Sequence, residues 1–184
     1  MPVCHPAVNR RAGARLLALG LSSAILAGCV STAPSGPVAR AEVKPTASNG
    51  VSGWVQFEQV GAQVRVSAEL RGLKPSAEHG FHVHDKGDCA SADGMSAGGY
   101  FNPGGKPHAH HGQVERHAGD MPNLQADAGG VARVSWNSAL LSVAAGPASA
   151  VGRSVIVHRD SDDYRTQPAG NSGPRLACGV IAAR

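Results

Sequence analysis

The stretch GWVQFEQVGAQVRVSAEL, Gly53 to Leu70, decides the fold. In its second half Val64, Val66, Ala68 and Leu70 alternate with Gln63, Arg65, Ser67 and Glu69. Successive side chains of a strand point to opposite faces, so this period of two sets an apolar row against a core and a polar row toward water. Gly53–Gln59 reads as a partner strand, and Val60-Gly61-Ala62 as the turn that makes the pair a hairpin. Working outward, GVARVSWN (Gly130–Asn137), RSVIVH (Arg153–His158) and ACGVIAA (Ala177–Ala183) read as further short strands. Short strands with Gly/Pro turns and no sustained helical period predict an all-β fold, an antiparallel β-sandwich or flattened barrel. The composition agrees: 184 residues suit one domain, and 24 glycines with only 4% aromatics suit a turn-rich β protein.

Two stretches break the strand pattern. Lys86–Asp120 is long and rich in Gly, Pro and His, and Arg159–Arg175 is polar and Gly-rich. Long loops on a compact β-scaffold are uncommon unless they carry function.

The N-terminus reads differently. Arg10, Arg11 and Arg15 precede the apolar run LLALGLSSAILAG, which ends at Leu26-Ala27-Gly28-Cys29. A basic start and a short apolar run are the marks of a secretory signal, too short for a spanning helix. The ending resembles the bacterial lipobox. Residues 1–28 are therefore expected to be a lipoprotein signal peptide, and Cys29 the lipidated new terminus. Residues 29–49 are rich in Pro, Ser and Ala and are expected to form a flexible tether, with the folded domain over 50–184. The expected location is the bacterial cell envelope, lipid-anchored on the periplasmic side of the membrane.

Charge and cysteines follow from that division. The chain has 17 Lys and Arg against 13 Asp and Glu. Without the three arginines of the first 28 residues, 17 − 3 leaves 14 against 13, too even a balance for a nucleic-acid partner. Cys4 leaves with the signal and Cys29 takes the lipid. Cys89 and Cys178 remain in an oxidising compartment and are expected to pair.

Seven of the nine histidines lie between His79 and His117. In GFHVHD (Gly80–Asp85), His82 and His84 flank a valine; on a strand both rings point to one face. Imidazoles suit copper and zinc, and histidines with a carboxylate suit zinc. His108, His117 and Asp120 stand in the long loop, and His158 ends a distant strand. His79 matches no ligand position and is expected to have no role.

Taken in order, GFHVH, GGYFNP, RHAGDMPNL, VIVH and GNSGPRLACGVI resemble the copper/zinc superoxide dismutase family, in its bacterial periplasmic branch, over roughly Gly50–Arg184. The resemblance implies a Greek-key sandwich with two functional loops, copper and zinc as cofactors and superoxide as substrate. It implies copper at His82, His84 and His158, zinc at His108, His117 and Asp120, and a Cys89–Cys178 disulfide. Arg175 would attract and orient the anion, and Asp162 would hydrogen-bond one ligand of each metal, with the adjacent Asp163 as an alternative. Family members are often dimers, so a homodimer is a further implication.

One position departs from the family pattern. Where the family has a histidine that bridges copper and zinc, this chain has Tyr100. A phenol offers one oxygen and ionises near pH 10, so it cannot reproduce a two-nitrogen bridge. Tyr100 can turn away, ligate copper as phenolate, or weaken the copper site. Zinc also lacks a fourth protein ligand, for which His110 and His111 are the neighbouring candidates.

Overall fold

The computed structural model describes residues 35–46 and 49–184. Nine strands are described: β1 (Ser35–Pro45), β2 (Ser52–Val60), β3 (Gln63–Arg71), β4 (Glu78–His79), β5 (Phe81–His84), β6 (Leu124–Gln125), β7 (Ala132–Ser138), β8 (Ser154–His158) and β9 (Arg175–Ala183). Seven of them form one curled antiparallel sheet in the order β5-β8-β9-β1-β2-β3-β7, and β4 pairs with β6. The all-β fold expected from the sequence is the fold observed. The only helical element described is a single 3-10 turn at Met95–Ala97.

The β2–β3 hairpin has the alternation read from the sequence, with Val64, Val66, Ala68 and Leu70 buried. Its turn is one residue shorter than expected. Val60 stays in the ladder opposite Gln63, and Gly61 supplies the positive φ of 57° that a tight turn requires. Phe57 and Val55 of β2, Val155 and Val157 of β8, and Ile181 of β9 close the core. Each such side chain stabilises the fold by roughly 1.5–3 kcal/mol when withdrawn from water.

The expected domain boundary at residue 50 is corrected by β1. Residues 35–45 are not tether: they form a strand bonded to β2 on one side and β9 on the other. Ala39, Ala41 and Val43 enter the core, while Glu42 and Lys44 face solvent. The period of two is present, but alanine is a weak hydrophobic marker and Pro37 and Pro45 flank the run. The predicted signal over 1–28, the Cys29 lipidation site and residues 29–34 lie outside the described residues.

β5 positions the site. Phe81 and Val83 belong to the main apolar cluster, so His82 and His84 point to the opposite face of the sheet. All four residues are buried, because the loops after β5 and β8 cover that outer face. Cys89 and Cys178 are bonded as expected, with Cα atoms 5.7 Å apart. The bridge pins the loop after β5 to β9.

Candidate metal centre

Two groups of buried ligand-type side chains lie on the covered face. His82, His84 and His158 form one; His108, His117 and Asp120 form the other. Within each group the donor atoms all lie within 4.8 Å of one another. β5 supplies His82 and His84, and β8, paired with it in register, supplies His158 at its end. His108, His117 and Asp120 come from the long loop, which the backbone bridges His82–Asp120 and His84–Tyr100 lay against β5.

Hydrogen bonding fixes which ring nitrogens are free. His84 Nδ1 donates to Gly98 O at 3.0 Å, and His158 Nδ1 donates to Gly173 O at 3.1 Å. In the neutral rings, both Nε2 atoms are therefore bare, yet they face each other at 3.4 Å. His82 donates from Nε2 to Asp162 at 2.8 Å, which leaves a buried Nδ1 without any partner. Burial, reinforced for His158 by the neighbouring His82, keeps these rings neutral and holds His158 down to about 3. Three converging bare nitrogens in a neutral, buried site are what a copper ion needs.

The second group calls for a cation in another way. His108 Nε2 donates to Asp162 Oδ1 at 2.9 Å, so His108 Nδ1 faces Asp120 Oδ1, 3.0 Å away, with no proton of its own in the neutral ring. Burial alone would depress His108, but its bonds to Asp120 and Asp162 outweigh burial and raise it to about 9. His117 Nδ1 is 3.3 Å from the same oxygen without hydrogen-bond alignment. Asp120 accepts from the backbone N–H groups of Ala109 and His117 and, against burial, is held down to about 2 by His108 and His117. Two imidazoles and an ionised carboxylate fit zinc.

Asp162 joins the two groups, with Oδ2 on His82 and Oδ1 on His108. Burial opposes its charge, but the bonds from His108 and His82 prevail and hold it well below the usual carboxylate range. Asp163, the alternative considered from sequence, is exposed and instead accepts from Thr166 and Arg165. Asn123 holds Asp162 in place by bonds to its backbone N–H and C=O at 3.0 Å each.

Tyr100 lies between the groups. Its ring stacks on His82 at 4.0 Å between centroids and is 5.7 Å from His108, 5.8 Å from His117 and 6.0 Å from His158. The phenol does not point at a metal ligand set: it donates to Ala169 O at 2.9 Å. Burial first, with the charges of Asp162 and Asp120 adding, pushes its pKa above the ordinary value, so the proton stays on.

Arg175 sits at the opening. Its guanidinium donates to Gly94 O and Gly98 O, both at 2.7 Å. With His158, Tyr100 and Asp93 it lines a pocket of about 620 Å³. His110 and His111 belong to neither of the two groups. Their rings lie tilted against each other, 4.0 Å between centroids, and pack on Tyr164. His79, expected to have no role, is only 1% exposed and donates to the backbone carbonyl of His158 at 2.9 Å. It stood outside any H-x-H pattern, so spacing gave no signal for it.

Comparison with known proteins agrees with this geometry. Residues 51–181 match the family model described as copper/zinc superoxide dismutase. The chain is 45% identical over 140 residues to the superoxide dismutase [Cu-Zn] of Saccharomyces cerevisiae, covering 72% of this chain and 90% of that one. It is 38% identical over 181 residues to the Deinococcus radiodurans superoxide dismutase [Cu-Zn], covering 91% and 94%. A crystal structure of a Bacillus subtilis SOD-like protein, carrying one tyrosine and one proline replaced by histidine, superposes with a TM-score of 0.71 at 33% identity, covering 78% of this chain and 96% of that one. The chain belongs to the copper/zinc superoxide dismutase family.

Proposed function

We propose that the protein is a copper-dependent superoxide dismutase of the bacterial cell envelope, slowed by Tyr100. The observation that carries this is the convergence of three bare imidazole nitrogens beside an arginine-lined opening. His82, His84 and His158 hold copper, and His108, His117 and Asp120 hold zinc. Copper bound there supplies one-electron exchange with superoxide, so that two anions and two protons give O₂ and H₂O₂.

The protein's own residues do the rest. Arg175 draws the anion into the pocket, and its two carbonyl partners keep the guanidinium aimed. Asp162 binds Nε2 of both His82 and His108 and so orients their Nδ1 atoms toward the two ligand groups. Tyr100 keeps its proton and its bond to Ala169, so no shared ring relays a proton to the product. General-acid assistance is worth roughly 10²–10⁴ in rate, and that is the range of slowing that Tyr100 imposes.

A second reading is a dismutase-like metal binder without turnover. Tyr100 favours it, and so does the SOD-like description of the Bacillus subtilis neighbour. Superoxide consumption by the metal-loaded native protein, compared with Tyr100→His, separates the two. The first reading expects activity well above metal-free protein and a further rise in the variant. A fully loaded native protein that is inactive, beside an active variant, establishes the second.

The envelope location rests on the signal pattern and on Cys29. Since β1 starts at Ser35, only residues 30–34 connect a lipidated Cys29 to the fold, a reach of at most about 20 Å. The domain would then work close against the membrane. Detergent partitioning of the native protein and of Cys29→Ser tests the anchor, and sedimentation equilibrium tests the homodimer.

A further inference from the structure

We propose that residues 167–173 couple the two metal sites in place of a shared ring, with Gln167 as a positioning residue for His108 and Tyr100 as the latch. The inference rests on the metal assignment above and goes beyond it.

The segment touches both sites in turn. The Gln167 side-chain amide pairs with the backbone of His108, accepting from its N–H at 2.9 Å and donating to its C=O at 2.7 Å. Two residues on, Ala169 O accepts the Tyr100 phenol at 2.9 Å and Ser172 Oγ at 3.2 Å. Gly170, at φ +59°, packs so closely that a Cβ there would stand 1.7 Å from Asp162 Oδ1 and 2.7 Å from His108 Nε2. Gly173 O then accepts His158 Nδ1 and so exposes the Nε2 that faces His84.

Backbone bonds tie the segment to residues 160–166. Gly170 N–H donates to Thr166 O at 2.7 Å, Asp163 N–H to Gly170 O at 2.9 Å and Asp160 N–H to Ser172 O at 3.0 Å. A shift of His108 on taking up zinc is therefore carried by Gln167 into a segment whose far end sets the tautomer and position of His158. Asp162 gives a second link, from His108 to His82, and does not involve Gln167. A bridging imidazole would make either link secondary. With the one oxygen of Tyr100 committed to Ala169, the segment is a continuous stretch of backbone hydrogen-bonded to His108 at one end and to His158 at the other.

Coupling is a ratio of affinities, and that ratio is the readout. Copper dissociation constants are measured by chelator competition with and without one equivalent of zinc. The measurement is made for the wild type, Gln167→Met, Tyr100→Phe and the exposed control Arg165→Ala. In the wild type and the control, zinc should tighten copper on the order of tenfold. In Gln167→Met and in Tyr100→Phe the ratio should fall to about threefold, the Asp162 link carrying what remains. Cobalt(II) at the zinc site should change its visible spectrum in Gln167→Met, since His108 loses its clamp.

A merely structural role would weaken copper equally with and without zinc and keep the ratio, and that result overturns the proposal. So does a wild-type ratio of one. Dismutase activity is not read in this experiment, so an inactive but copper-binding protein leaves the test intact. A protein that takes up no copper overturns the metal assignment, and the coupling with it.

Discussion

Removing the Cys89–Cys178 bridge should damage stability and site together. The bridge closes a sequence separation of 89 residues. In the chain-entropy relation a loop of that length restricts the unfolded ensemble by about 4–5 kcal/mol. For a domain of this size each kcal/mol moves the melting temperature by about 2–4 °C, so the Cys89→Ser/Cys178→Ser variant should melt about 8–20 °C lower. The site should suffer because the pinned loop carries the carbonyls of Gly94 and Gly98. Those two oxygens hold Arg175, and Gly98 O also fixes His84 Nδ1. Urea and thermal melts of metal-free protein measure the first effect, and superoxide consumption after metal loading measures the second. A stability change below about 1 kcal/mol, or full activity in the variant, would refute the reasoning.

Two further predictions follow from the charges. Asp93 lines the same pocket as Arg175, so Asp93→Asn should raise the rate of superoxide consumption about 2–5-fold at low ionic strength, with the gain disappearing in high salt. A salt-independent effect would contradict steering. Metal-free protein should be most stable near pH 6.5. Below that pH the unfolded chain protonates histidines that the fold keeps neutral, His158 down to about 3, so stability falls with acid. Above it, the advantage of a protonated His108, raised to about 9, is lost as pH climbs through that value. Urea midpoints from pH 5 to 9 check this, and a monotonic rise would contradict it.

Much of this was legible in the residues. The alternation in Val64–Leu70 and the H-x-H of His82 and His84 each specify a face, and the faces are as read. The convergence of His158 on β5 depends on strand pairing across long separations, which only the family motifs could supply. β1 was hidden because Ala39 and Ala41 fill a tight part of the core with little hydrophobic signal. Gln167 and Asn123 were invisible for another reason: an amide in a polar loop has no spacing that marks it, and its meaning comes from the backbone it meets. His79 needed the pairing of β4 with β6 and the turn into β5 before its ring could reach His158 O.

The central claim is that His82, His84 and His158 hold a redox-active copper ion despite the tyrosine between the sites. The measurement that tests it is electron paramagnetic resonance of Cu²⁺-loaded protein alongside superoxide consumption, for the native chain and for His158→Ala. The account predicts nitrogen hyperfine structure from imidazole ligands in the native protein, with activity above metal-free protein, and the loss of both in the variant. Copper absent from this site, or a signal and activity untouched by His158→Ala, would contradict it.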